Sequence, residues 1–292
     1  MATQSDKAAV LHWLYRAHLP ETTFTFDDLL IDAVQEVLSL SRSDAEQHVE
    51  ARCAHYWNAL SKVLDADQMR GLAPLVRIED STSRRVRAYH AWLRAGKLRS
   101  HRFRAVALAA RPDLLAAIDA LDDREFESLG CVVSRLIGAP NVHLTTKGKE
   151  AGIDFFAQIQ VVNGRSHLFG DATGPLRIIA QCKKQGRRLE GAEMTKLVQV
   201  IQEVMHRDPT VERLVPPWFR TSRGPIVGWM LSANGFQSEA LNKAKHFGIV
   251  CSDSNDLAYA LALSRGLAPY DPPSERVALL RQKVADLLME SK

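Results

Sequence analysis

Arg177-Ile178-Ile179-Ala180-Gln181-Cys182-Lys183-Lys184 decides the reading of this chain. An apolar run ends in Gln-x-Lys, the pattern of a buried strand whose last residues emerge among polar groups. Residues two apart in a strand point to the same face, so Gln181 and Lys183 emerge together. Upstream lies Thr146-Lys147-Gly148-Lys149-Glu150-Ala151-Gly152-Ile153-Asp154-Phe155-Phe156, where an acid leaves a glycine turn at the start of a second apolar strand. If these strands pair, a carboxylate, a side-chain carbonyl and an ammonium share one edge of a sheet. Phosphodiester hydrolysis needs that set: oxygen ligands for a divalent cation and a fixed positive charge near the attacking water.

Each residue also has a plain structural reading. Asp154 alone suits a turn aspartate after a glycine. Gln181 and Lys183 alone suit an exposed strand end. It is their order along the chain that favours a site.

Outward from this point, strands alternate with amphipathic helices. The pattern reads helix 123–136, strands 142–145, 153–162 and 176–182, helix 190–205, strand 226–231, helix 238–247, strand 249–251 and helix 255–264. That alternation indicates an α/β layered fold with a mixed sheet. Met194, Leu197, Val198, Ile201 and Met205 form one apolar face, so their helix is expected to pack on the sheet. The segment 206–225, with Pro209, Pro216, Pro217 and Trp218-Phe219-Arg220, is long for a connection in a compact domain. Its aromatics suit either a wedge against bases or burial in the core.

From about Glu125 to about Leu263 the chain resembles the Mrr-type restriction-endonuclease family, a branch of the PD-(D/E)xK nucleases. The resemblance is carried by Phe126-Glu127-Ser128-Leu129-Gly130, Gly152-Ile153-Asp154, Gln181-Cys182-Lys183, Leu231-Ser232-Ala233-Asn234-Gly235-Phe236 and Ile249-Val250-Cys251-Ser252-Asp253, in that order. It implies a restriction-endonuclease-like mixed sheet flanked by helices, and a metal-dependent endodeoxyribonuclease of restriction or anti-phage defence. It also implies that Asp154, Gln181 and the helix acid Glu127 hold Mg2+ or Mn2+, with Lys183 completing the catalytic set. Gln181 stands where the superfamily usually has glutamate; its carbonyl can ligate the cation but brings no charge. Glu127 equally suits a first-turn glutamate favoured by the helix dipole. Gln199, Gln202 and His143 can approach substrate or simply be exposed.

The length suits two domains: a helical DNA- or signal-reading domain over 1–110, the nuclease domain over 111–268 and a C-terminal amphipathic helix over 269–292. No apolar run approaches a membrane span and no signal-peptide pattern opens the chain, so a cytoplasmic location without a membrane partner is expected. Cys53, Cys131, Cys182 and Cys251 are scattered, which disfavours a zinc site or disulfide framework.

The net charge of +4 hides an asymmetry. Residues 1–80 carry 13 acidic and 7 basic side chains, whereas 81–112 carry 9 basic and no acidic ones. Arg84, Arg85, Arg87, Arg94, Lys97, Arg99, Arg102 and Arg104, interleaved with Tyr89, Trp92 and Phe103, read as a DNA-facing segment, the rival being a solvated helix face. Arg187 and Arg188, just beyond Lys183, are expected to hold the strand near the cleavage site. Lys184 reads as a surface residue.

The first hundred residues read as helices opening near Ala8, at Thr25 or Asp27, and at Ser43-Asp44. Leu75–Ile78 and Phe103–Ala107 read as short strands around a helix from Arg84 to Leu98, an order that suits a winged-helix-like module. A non-cleaving nucleic-acid-binding protein on a nuclease fold, and an effector nuclease released by a partner protein or small molecule, stay open as alternatives. Double-strand cleavage would favour a homodimer.

Overall fold

The structure is a computed structural model that describes residues 4–16, 22–69, 72–96, 98–146, 151–159 and 174–291. Its contacts divide the chain into Met1–Pro112 and Asp113–Lys292. Residues 147–150 of the glycine turn, Lys97 and the end of the expected 153–162 strand lie outside the described residues. Among the described residues no helix is long and apolar enough to cross a membrane.

The first unit runs α1 (Gln4–Arg16), β1 (Phe24–Thr25), α2 (Phe26–Leu38), α3 (Arg42–Met69), β2 (Val76–Asp80), β3 (Arg85–Ala88), α4 (Tyr89–Arg94) and α5 (Arg99–Ala109). α6 (Arg111–Asp119) follows. Thr25 caps α2 through the Asp28 N–H, and Ser41 caps α3 through the Asp44 N–H. Between those helices Ser39 turns left-handed at φ 53°. Two helices joined by so short a turn make a helix-turn-helix. The antiparallel sheet has the order β1-β3-β2, which completes the connectivity of a winged helix with β2–β3 as its wing. Phe26, Leu30, Tyr56, Leu60 and Val86 are buried in one cluster.

Residues 85–88 are a strand, not part of the expected helix: Val86 and Ala88 are buried between the outward Arg85 and Arg87, a period of two. Phe103–Ala107 is helix, not strand, because Ala105, Ala107 and Leu108 are the residues buried along α5. Alanine is a strong helix former and a weak strand former, which outweighs the local alternation.

The second unit is built on a five-stranded sheet, β4 (Asn141–Leu144), β5 (Phe155–Ile159), β6 (Leu176–Lys183), β7 (Ile226–Ser232) and β8 (Val250–Asp253), in sequence order. The first three strands are antiparallel and the last two run parallel to β6. In chain order the helices are α7 (Asp123–Leu136), α8 (Gly191–Met205), the short α9 (Pro209–Glu212) and α10 (Pro217–Thr221), α11 (Ser238–Phe247), α12 (Ser254–Leu263) and α13 (Pro273–Glu290). This mixed sheet flanked by helices is the expected fold class. α7 opens with a capping box between Asp122 and Glu125, and α11 stops at Gly248 in the left-handed region.

Met194, Leu197 and Val200 of α8 cover Phe156, Ile179 and Met230 on one side of the sheet. Gly130 of α7 faces Phe155, and the Ser128 hydroxyl donates to the Val284 carbonyl of α13. Phe219 is fully buried beside Phe156, with ring centroids 5.0 Å apart. Burial, not a base wedge, therefore accounts for Phe219. Arg220 is exposed but folds back on its own segment, donating to the Val215 and Glu212 carbonyls.

Candidate active site

The site forms where β5 begins and β6 ends. Ala151 and Gly152 both have positive φ, 43° and 83°, a reversal that glycine makes without steric cost. The chain then enters β5 through Asp154. Its N–H donates to the Ala180 carbonyl at 2.9 Å, although Ala180 already pairs with Phe155. Two consecutive residues thus bear on one, the arrangement of a β-bulge, which re-aims a side chain at a strand end. Thr145, itself buried, donates its hydroxyl to the Ile153 and Asp154 carbonyls at 2.7 and 2.8 Å and fixes this peptide from the other side.

So aimed, the Asp154 carboxylate accepts the Cys182 N–H at 2.5 Å through Oδ2. That brings it onto the peptide joining Gln181 to Cys182. Asp154 is 8% exposed and Gln181 5%. The Gln181 amide leans over Gly152: a Cβ placed there would lie 3.6 Å from Nε2. Its Oε1 is buried and has no hydrogen-bond partner among the described residues. A buried amide oxygen left unpaired costs about 1–3 kcal/mol, and such an orphan calls for a ligand.

Lys183 lies two residues on, paired in register with Ser232 of β7. Its Nζ is 3.9 Å from Glu193 Oε2 in the first turn of α8. Glu127 on α7 is held by Arg124 at 2.5 Å, and Arg124 also donates to the Thr145 carbonyl. The thiol of Cys182 lies among three of these groups, Asp154, Glu127 and Lys183. Burial first, then Asp154, the neighbouring Cys131 and Glu127, push its pKa well up, while Lys183 opposes them. Asp154, Glu127 and Lys183 are therefore within electrostatic reach of one buried sulfur.

Among the described residues no group of three or more His, Cys, Asp or Glu side chains is placed to hold a metal ion. The oxygens this corner offers are instead those of one carboxylate, on the Cys182 N–H, and one buried amide. Mg2+ commonly takes one or two carboxylates from the protein and keeps water and substrate oxygens for the rest. The residues present fit such an ion, and the orphaned Gln181 oxygen is the observation that fits it best.

Arg187 is exposed and paired with Glu190 at 3.0 Å, and Arg188 is exposed in the same loop. Lys184 donates to the Asp119 carbonyl at 2.8 Å and so closes the end of α6. Gln199 bonds Glu203 on the outer face of α8, and His143 is exposed on the edge strand β4. In the first unit Arg84 is held by Asp27 and Cys53, and Arg87 by Glu79. Arg94 and Arg104 each interact within the chain. Arg124, Thr145 and Glu193 are the participants that sequence reasoning missed. Only the position of Glu193 in the turn after Gln-x-Lys offered a signal for them.

No family model and no curated protein matches the chain. Two solved structures are similar to part of it. One is the MspJI restriction endonuclease in complex with a 27-mer oligonucleotide, at 17% identity over 62% of this chain and 36% of that chain, TM-score 0.40. The other is the DNA modification-dependent restriction endonuclease AspBHI, at 14% identity over 61% of this chain and 40% of that chain, TM-score 0.40. The matched regions are thus well under half the length of either protein.

Proposed function

We propose that the chain is a metal-dependent endodeoxyribonuclease of the Mrr type, acting in restriction or anti-phage defence. The observation that carries this reading is the buried, unpartnered Gln181 Oε1 beside the peptide that Asp154 grips. The resemblance of the ordered motifs supplies DNA as the substrate.

Asp154 and Gln181 would hold Mg2+ or Mn2+, with Glu127 adding negative charge from α7. The bound cation would supply Lewis-acid polarisation of a phosphoryl oxygen. Lys183 orients the attacking water through its ammonium group and stabilises the negative charge that develops on the phosphate. Thr145 and the Cys182 N–H hold Asp154 in place, so the carboxylate needs no reorganisation as charge builds. Water attack leaves one product end with phosphate and the other with hydroxyl; the resemblance assigns the phosphate to the 5′ end. One such site nicks one strand, so a double-strand break would draw on a second copy.

The test is plasmid nicking by the purified full chain with Mg2+ or Mn2+. Asp154→Asn and Lys183→Ala are expected to lower the rate by at least about 100-fold while circular dichroism stays native. Wild-type protein that leaves duplex, single-stranded and modified DNA intact with either metal would remove the reading.

A further inference from the structure

The first unit is a winged helix whose helix-turn-helix carries the wrong charge for a groove. In such modules the second helix enters the major groove with its N-terminal residues on base edges. Here that helix is α3, and its first turns expose Asp44, Glu46 and Glu50. Its lone early cation, Arg42, is taken by Glu46 at 3.2 Å and lies 3.7 Å from Asp32. The exposed side of α2 adds Asp28 and Glu36. Carboxylates pressed against phosphates repel, and desolvating them in a groove adds to the cost.

The positive charge stands on other elements. Several arginines of residues 81–112 are already occupied: Arg84 secures the wing, Arg87 pairs with Glu79, and Arg94 and Arg104 interact within the chain. Arg99 and Arg102 differ. Three residues apart on α5, they share one side of the helix. Both are exposed, and neither side chain has an ion-pair or hydrogen-bond partner among the described residues.

We propose that this winged helix docks on duplex DNA through α5, with Arg99 and Arg102 gripping phosphates, while the acidic α3 makes no contact with bases. This rests on the DNA reading above and names how that substrate is held. Phosphate contacts position a protein without carrying sequence information, so this unit contributes affinity and orientation but does not read bases.

Binding is measured by fluorescence anisotropy with the full chain in EDTA, on two labelled duplexes of unrelated sequence across a salt series. Because no cleavage occurs in EDTA, failure here is distinct from failure of the nuclease assay. Arg99→Ala with Arg102→Ala is expected to weaken both duplexes equally, about tenfold, and to lower the slope of log affinity against log salt by about 2. Arg99→Lys with Arg102→Lys keeps the charge and is expected to keep most of the slope, which separates phosphate contact from a folding defect. Glu46→Gln with Glu50→Gln should tighten binding, and Gln47→Ala on α3 should change neither duplex. The proposal is overturned if the double alanine variant keeps wild-type affinity and slope, if Gln47→Ala weakens one sequence more than the other, or if the wild type binds neither duplex.

Discussion

Lys183 Nζ stands 3.9 Å from Glu193 Oε2, while the other oxygen of Glu193 takes Lys196 at 2.8 Å. The first turn of α8 thus holds the ammonium that the proposed chemistry needs. Glu193→Ala is expected to lower single-turnover nicking about tenfold or more, since small misplacements of a reacting group cost up to about 100-fold. Affinity for DNA should not change. Glu193→Gln keeps an acceptor and should lose less. Equal losses in rate and affinity would argue against a positioning role.

Gln181 carries a buried oxygen with no partner, a cost that disappears if the amide is replaced by an apolar group of similar size. Gln181→Met is expected to raise unfolding stability by up to about 1 kcal/mol and to abolish nicking together. Urea melts beside the plasmid assay read both. A variant that is less stable yet fully active would contradict the assignment of this side chain to a cation.

Gly130 lies mid-helix in α7, where alanine would ordinarily be favoured by about 1 kcal/mol. A Cβ there would come within 2.3 Å of Phe155 Cε1, in a fully buried ring. Gly130→Ala is therefore expected to destabilise by about 1–3 kcal/mol net of that gain. Chemical denaturation decides it, and a stabilised variant would show that α7 does not sit this close to β5.

The thiols of Cys131 and Cys182 are both pushed up by burial above all. A raised folded pKa means the neutral thiol is favoured in the native state. Their contribution to stability is thus complete below the ordinary thiol value of about 8.5 and falls as pH rises above it. Native protein at pH 8 should leave both unlabelled by a thiol reagent. Cys131→Ala with Cys182→Ala should flatten the loss of stability between about pH 8.5 and 10; an unchanged slope would contradict the assignment.

Much of the second unit was legible because its signals are local. The apolar run before Gln181 marks the strand β6, and the apolar face of Met194 and Leu197 marks the helix α8 packed on the sheet. The failures lie where two periodicities compete over a few residues. Phe103-Arg104-Ala105-Val106-Ala107 alternates as a strand does, yet forms helix, while Arg85–Ala88 pairs with β2 and β1 from a stretch rich in arginine. The acidic helix-turn-helix was countable in the composition, but its meaning needed the topology that makes α3 the second helix of that motif.

By itself the sequence determined which groups were on hand: an acid after a glycine turn, an amide and an ammonium two residues apart, and a run of arginines without acids. These are properties of residue type and spacing, and a strand's period of two transmits them directly. Only the tertiary structure decided how each is used. The bulge at Ala180 turns Asp154 onto the Cys182 N–H, α8 brings Glu193 to Lys183, and Arg84 goes to Asp27 rather than to solvent. Each of those contacts joins residues between 10 and 57 positions apart, and such pairings are set by packing of whole elements, which no local pattern encodes.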